Sequence, residues 1–317
     1  MLDFLPAFLR VSLGSLMIMT NTVLHCIALF GFALVKFLVP VRAIRTLLSR
    51  VLIQIAESWI AVNGFTFWLL TKIEWQIEGL EGLRYQGWYL VLSNHQSWVD
   101  IPVLQKIFNR RIPFLKFFLK QELIWVPLLG LAWWALDFPF MKRHSKEFLE
   151  KHPDMRGEDL ETTRAACEKF RHAPVSVMNF VEGTRFTAAK RDQQQSPFAH
   201  LLRPKAGGVA FVLNAMGDIL QSIVDVTIVY PEGRPTFVDA LSGRLHQVHV
   251  FIRELPIPSD LLGGDYENDV AYRERFQGWV TKLWADKDAI IERLLAGKPA
   301  AGAPGSFSAP RDPPGRR

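Results

Sequence analysis

Trp88-Tyr89-Leu90-Val91-Leu92 runs directly into Ser93-Asn94-His95-Gln96-Ser97-Trp98-Val99-Asp100: a short apolar, β-prone run followed by a polar, turn-forming segment. A run of this length, rich in β-branched and aromatic residues, reads as a buried strand. Val175 to Val181 and Ile223 to Val229 read the same way, and Val248 to Ile252 is a further candidate. Between the first two lies Asp159 to His172, where Leu160, Ala165 and Phe170 recur at helical spacing among charged neighbours. Gly207 to Met216 reads as a second intervening helix, and Tyr266 to Leu295 as one long helix or two. Strands alternating with helices predict an α/β domain with a mostly parallel central sheet flanked by helices.

The chain around this domain is oily: 49% of its 317 residues are hydrophobic and the mean hydropathy is +0.11. The excess sits in the segment up to Leu70 and again between Leu123 and Met141, which points to membrane contact rather than to a larger core. From Val11 to Val35 no Asp, Glu, Lys or Arg occurs, a stretch long enough to cross a bilayer as a helix. Lys36, Arg42, Arg45 and Arg50 follow. A cleavable signal peptide would have a shorter apolar core and a small-residue cleavage site, so the segment reads as retained. The basic residues place its C-terminal end on the cytoplasmic side. Val51 to Leu70 carries only Glu57 and reads as a second span or as a helix lying in the interface. A complete hairpin would put the rest of the chain across the membrane from the basic loop, so at least one segment is expected to be only partly inserted.

Leu123 to Met141 holds Trp125, Trp133, Trp134, Phe138 and Phe140, broken by Pro127, Gly130 and Pro139 and flanked by Lys116, Lys120, Lys142 and Arg143. It reads as a headgroup-level or tunnel-lining element, or as a buried core helix. The net charge of +6 comes with no nucleic-acid-binding motif, so the expected anionic partner is the phospholipid bilayer and not nucleic acid. Cys26 and Cys167 alone make neither a disulfide framework nor a metal-spaced pair. The expected organisation is membrane-associated helices over 1–72, an α/β domain over 73–296, and a disordered Pro-, Gly- and Ala-rich tail over 297–317.

His95 and Asp100 follow the carboxyl end of a predicted strand, where open α/β sheets bind ligands. A carboxylate across a turn can fix the imidazole tautomer and stabilise the imidazolium, freeing the other ring nitrogen as a general base. The same pair would also serve as a surface histidine beside a turn-forming aspartate, and spacing alone does not separate the two. Phe180-Val181-Glu182-Gly183-Thr184-Arg185 closes the Val175 strand. It offers a turn at Gly183, a hydroxyl at Thr184 and, at Arg185, a guanidinium able to grip a phosphate in two places.

Together, Asn94-His95-x-x-x-x-Asp100 and Phe180-Val181-Glu182-Gly183-Thr184-Arg185 resemble the first and third sequence blocks of the glycerolipid acyltransferase family, in the family's order. The second block is matched loosely by Gly130 through Arg143, and the fourth by Ile223 through Val229, which lacks the usual proline. Asp225-Val226-Thr227, the phrase Leu202 through Gly208, and Lys287-Asp288 are similar to the branch holding the longer eukaryotic lysophosphatidate acyltransferases and their bacterial relatives. The resemblance covers Trp88 to Leu295. It implies that His95 deprotonates a glycerol hydroxyl, oriented by Asp100, and that the hydroxyl attacks the thioester of acyl-CoA or acyl carrier protein. No covalent acyl-enzyme, cofactor or metal is implied, and no Gly-x-Ser-x-Gly elbow occurs. Glu182, Gly183, Thr184 and Arg185 would hold the phosphate of a lysophospholipid, with Glu182 pairing with a neighbouring base to order the loop. Arg143 reads as a second anion contact or a membrane anchor, and Lys205 as a third contact or an ordinary solvated lysine. Ser97 reads as a hydrogen-bonding spacer, and Asp225 and Thr227 as structural.

The expected reaction is acylation of the sn-2 hydroxyl of 1-acylglycerol 3-phosphate, with lysophosphatidylglycerol or lysocardiolipin as alternative acceptors. The expected location is a bacterial inner membrane, with the α/β domain on the cytoplasmic face. A non-catalytic membrane scaffold would be expected to lose His95 or Asp100, and a metal-dependent hydrolase would need further ligands at metal spacing.

Overall fold

The computed structural model describes residues 1–141, 170 and 173–297. Its strands in chain order are β1 (Glu74–Glu78), β2 (Trp88–Ser93), β3 (Leu115–Phe117), β4 (Leu119–Lys120), β5 (Phe140–Met141), β6 (Val175–Phe180), β7 (Ser222–Val229) and β8 (Gln247–Leu255). Six of them form one sheet in the order β1-β8-β7-β2-β6-β3, parallel at every pairing except β7 against β8. The three central strands are the runs that read as strands in the sequence, because both of their faces are buried. Leu90 and Leu92 enter one core while Tyr89 and Val91 enter the other. Parallel strands covered on both sides carry continuous apolar sequence.

Eight described helices surround the sheet: α1 (Ala7–Leu38), α2 (Arg42–Leu70), α3 (Asp100–Phe108), α4 (Leu129–Ala135), α5 (Ala188–Gln193), α6 (Ala206–Met216), α7 (Phe237–Ser242) and α8 (Val270–Leu295). The first core is closed by α6 and α8 through Val209, Leu213, Phe276 and Trp284, the second by α3 through Val103, Leu104 and Ile107. The C-terminal stretch is one helix, α8, whose first turn is capped by the Asp269 side chain accepting from Tyr272 N. Apart from Phe170, the predicted helix Asp159 to His172 lies outside the described residues, as do Lys142, Arg143 and the tail from 298 onward.

Among the described residues α1 is the one helix long and apolar enough to cross a membrane, with a mean hydropathy of 1.9 over its most apolar window. Its Leu16, Met19, Leu24 and Ile27 are exposed. α1 and α2 lie antiparallel and are interlocked by polar contacts: Asn21 Nδ2 donates to Trp59 O and Asn63 Oδ1, and Trp59 Nε1 donates to Thr22 Oγ1. α2 is also fastened to the α/β domain. Its one acidic residue, Glu57, is buried and accepts from Tyr85 Oη at 2.8 Å, with Arg110 Nε at 3.6 Å. The aromatic stretch from Leu123 divides by face. Ala132, Ala135, Leu136 and Phe138 pack on Cys26, Leu29, Leu52 and Ala56, while Trp125, Leu131 and Trp134 are exposed.

Candidate active site

The end of β2 is pinned to β7 before the chain turns. Asn94 Nδ2 donates to Ile228 O and Asn94 Oδ1 accepts from Ile228 N, both at 2.9 Å, so this side chain completes the ladder where the backbone leaves it. The next residue, His95, is thereby delivered to the carboxyl edge of the sheet. Its ring stacks on Phe180, the last residue of β6, with centroids 3.9 Å apart. His95 Nδ1 lies 2.8 Å from Asp100 Oδ2. Nε2 has no partner among the described residues, and the side chain remains 12% exposed. That leaves one ring nitrogen oriented and the other accessible, the arrangement a general base requires.

Asp100 is fully buried at the start of α3, where a helix N-terminus favours negative charge. Its Oδ2 also accepts from Gln96 N and Ser97 N, and its Oδ1 accepts from Tyr230 Oη at 2.7 Å. Tyr230 is absent from any motif in the sequence reading. It lies 130 positions from Asp100, just beyond β7, so no local spacing could have found it. Burial, reinforced by the Asp100 charge, holds its phenol well above the ordinary value, so Tyr230 stays a proton donor. Ser97 is a spacer, as read: its hydroxyl donates to Pro235 O and accepts from Val99 N.

The Glu182–Arg185 segment sits beside the histidine loop. Phe186 N donates to His95 O at 2.8 Å. The Glu182 carboxyl is fully buried and makes no ion pair among the described residues. Oε1 accepts from His95 N and Oε2 from Leu202 N, each at 2.9 Å, so Glu182 ties the histidine loop to the segment leading into α6. Gly183 adopts φ +69°, a conformation that glycine alone takes without strain, and a Cβ there would lie 3.1 Å from the Lys205 side chain. Lys205 therefore lies against the turn, and Thr184 Oγ1 accepts from Lys190 Nζ at 2.7 Å. The Arg185 guanidinium rests 4.3 Å over the Trp98 ring and makes no ion pair among the described residues. The structure thus brings His95, Asp100, Gly183, Thr184, Arg185 and Lys205 to one edge of the sheet.

Burial pushes the Glu182 carboxyl up to about 7, against the pull of its two N–H donors. A folded-state value above the ordinary 4.5 means that folding binds a proton, so this group's contribution to stability is full below about pH 4.5 and is lost as pH rises through about 7. Chemical denaturation across that window is expected to show a falling stability component that is missing in Glu182→Gln. An equal slope in both proteins would refute the assignment.

Asp225 and Thr227 are structural, as the sequence suggested, but they are part of a larger device. Asp225 takes Lys287 Nζ at 2.7 Å on Oδ1 and Arg253 Nη2 at 2.6 Å on Oδ2, and Lys287 also donates to Val226 O and Thr227 Oγ1. The next residue, Asp288, accepts from Ala199 N and His200 N at 2.9 and 2.8 Å. The pair Lys287-Asp288 therefore joins α8 to the sheet on one side and to the segment before Lys205 on the other. Among the described residues no group of three or more His, Cys, Asp or Glu side chains is placed to hold a metal ion.

A family model described as Acyltransferase matches residues 74–236, more than half of the chain, a range that includes His95, Asp100, Glu182 to Arg185, Lys205 and Tyr230. The chain belongs to the acyltransferase family. Related sequences include the human 1-acyl-sn-glycerol-3-phosphate acyltransferase delta, 23% identical over 64% of this acyltransferase and 52% of the human protein. The Arabidopsis thaliana 1-acyl-sn-glycerol-3-phosphate acyltransferase 3 is 25% identical over 91% and 75% of the two chains. The chicken (Gallus gallus) lysocardiolipin acyltransferase 1 is 24% identical over 66% and 54%. The acyltransferase thus spans about half the length of the human and chicken relatives. Among solved structures, the 1-acyl-sn-glycerophosphate acyltransferase of Thermotoga maritima aligns over 88% of this chain and 98% of its own, at 18% identity and a TM-score of 0.48.

Proposed function

We propose that this acyltransferase moves a fatty acyl group from acyl-CoA or acyl carrier protein to the sn-2 hydroxyl of 1-acylglycerol 3-phosphate, making phosphatidate. The observation that carries the reading is the His95 ring, oriented by Asp100 and open at Nε2, on the same sheet edge as Arg185 and Lys205. Nε2 takes the proton of the acceptor hydroxyl as its oxygen attacks the thioester carbonyl. The tetrahedral adduct then collapses, the carbon–sulfur bond breaks, and the leaving thiolate recovers the proton from His95. The acyl group passes directly to the acceptor, with no cofactor, no metal and no acyl-enzyme. Arg185, with Lys205, neutralises the acceptor phosphate. The reaction takes place at the cytoplasmic face of a bacterial inner membrane, with the exposed apolar side of α1 and the exposed Trp125, Leu131 and Trp134 in lipid.

A panel of lysolipids offered to the purified protein with each donor tests the proposal. Acylation of lysophosphatidate at the highest kcat/KM is the expected result, and the acceptor assignment fails if lysophosphatidate is inert while another lysolipid reacts. The second reading keeps the chemistry and takes lysophosphatidylglycerol or lysocardiolipin as acceptor. It is favoured by the similarity to a relative named as a lysocardiolipin acyltransferase.

Tyr230 is a positioning residue in this mechanism. Tyr230→Phe leaves Asp100 Oδ1 without its donor, which should weaken the alignment of His95 by roughly 1–2 kcal/mol and lower kcat about 5- to 30-fold. KM for both substrates should hold. A loss in KM alone, with kcat unchanged, would refute the role.

A further inference from the structure

The loop Pro231-Glu232-Gly233-Arg234-Pro235, between β7 and α7, is fastened to the catalytic segment on both sides of its arginine. Before it, Tyr230 Oη donates to Asp100, and after it, Pro235 O accepts from Ser97 Oγ. Between these anchors the chain turns sharply at Gly233, whose φ is +102° and whose N–H donates to Tyr230 O. Arg234 is therefore presented next to His95 by a loop that the sequence places far from both motifs.

The guanidinium carbon of Arg234 lies 3.9 Å over the ring of Phe186, the residue whose N–H donates to His95 O. Stacking on an aromatic face orients the guanidinium while leaving its in-plane N–H donors unspent. Among the described residues Arg234 makes no hydrogen bond or ion pair. The acid of its own loop, Glu232, is engaged elsewhere by His246 N and Nδ1. Glu182, whose charge Arg234 senses, spends both oxygens on backbone N–H groups. The arginine is also partly desolvated and has Arg191 as a cationic neighbour, a setting that favours an incoming anion. Arg185 is parked in the same manner on Trp98, so two oriented, unpaired guanidiniums flank the histidine loop.

We propose that Arg234 is a phosphate-binding residue of the reaction centre, acting with Arg185 on a phosphate group of one of the two substrates. The inference rests on reading the His95 edge as that centre. Two sources share this chemistry: the phosphate monoester of the acceptor and the phosphates of acyl-CoA. Loss of one forked, charge-assisted contact should weaken phosphate binding by roughly 10- to 100-fold.

The test is Arg234→Gln in the full-length protein, with KM and kcat measured separately for lysophosphatidate, acyl-CoA and acyl carrier protein. A rise in KM for lysophosphatidate with either donor, kcat being held, assigns the site to the acceptor. A rise in KM for acyl-CoA but not for acyl carrier protein assigns it to the donor. Arg234→Lys, which keeps the charge and loses the fork, should fall between. Unchanged KM for every substrate, or a fall in kcat alone by one factor throughout, would overturn the proposal. A binding titration of lysophosphatidate and of acyl-CoA onto His95→Ala protein, with and without Arg234→Gln, reads the same contact without turnover. It separates failure of this inference from failure of the His95 mechanism.

Discussion

Substitution of His95 by alanine is expected to lower kcat by roughly 10²- to 10⁴-fold, the range for loss of a positioned general base. The hydroxyl of a glycerol is a poor nucleophile until its proton is being removed, and Nε2 is the ring nitrogen free to remove it. KM for both substrates should hold, because the cations Arg185 and Lys205 are untouched. The fold should survive, since the ring contributes one stacking contact with Phe180 while Asn94 and Glu182 keep the loop attached to β7 and to the segment before α6. Steady-state kinetics on detergent-purified protein, with circular dichroism as the control, is the measurement. Acyl transfer at the parental rate would remove His95 from the mechanism and leave no other base in the histidine loop.

Asp225→Ala should produce the largest loss of stability of any single change near the site. Asp225 and Lys287 are wholly buried and Arg253 nearly so, so deleting the carboxylate removes the group with which both cations form their ion pairs in this buried cluster. Breaking a buried pair in this way costs about 3–5 kcal/mol, which corresponds to a fall of roughly 6–20 °C in Tm for a domain of this size. Burial already presses Lys287 toward its neutral form and the Asp225 charge opposes that, so Lys287 would lose its main reason to remain protonated. A second arm makes the cause visible. Asp225→Leu combined with Lys287→Met and Arg253→Met removes all three charges and should be less destabilised than Asp225→Ala alone. Equal losses in the two proteins would mean that the cost is packing, not unpaired charge. Because Asp288 holds the segment before Lys205, the single variant should also lose affinity for the phosphate-bearing substrate before it unfolds.

The legible part of the fold was its centre. β2, β6 and β7 are buried on both faces and carry unbroken apolar runs, which a window of sequence detects. β1 was not seen, because Glu74-Trp75-Gln76-Ile77-Glu78 is an edge strand whose outward residues are charged and whose partner β8 arrives from far along the chain. β3 is three residues long, below what periodicity can resolve. α3 is not legible either, because its first residue, Asp100, suits a turn as well as a helix start.

Within the site, His95, Asp100 and Arg185 were legible as residue types at motif spacing. The role of Glu182 was not, because a carboxylate beside an arginine in sequence says nothing about whether its oxygens meet a ligand or two backbone N–H groups. Chain chemistry alone determined which groups the site would contain: one imidazole with a carboxylate a turn away, and a glycine-hinged segment carrying a guanidinium. Only the tertiary structure decided that Tyr230 orients Asp100, that Asn94 completes a ladder with Ile228, and that Arg234 reaches the histidine loop. The physical reason is that strand and helix signals arise from neighbours a few residues apart, whereas these contacts are made by parallel strands whose pairing depends on the packing of the entire sheet.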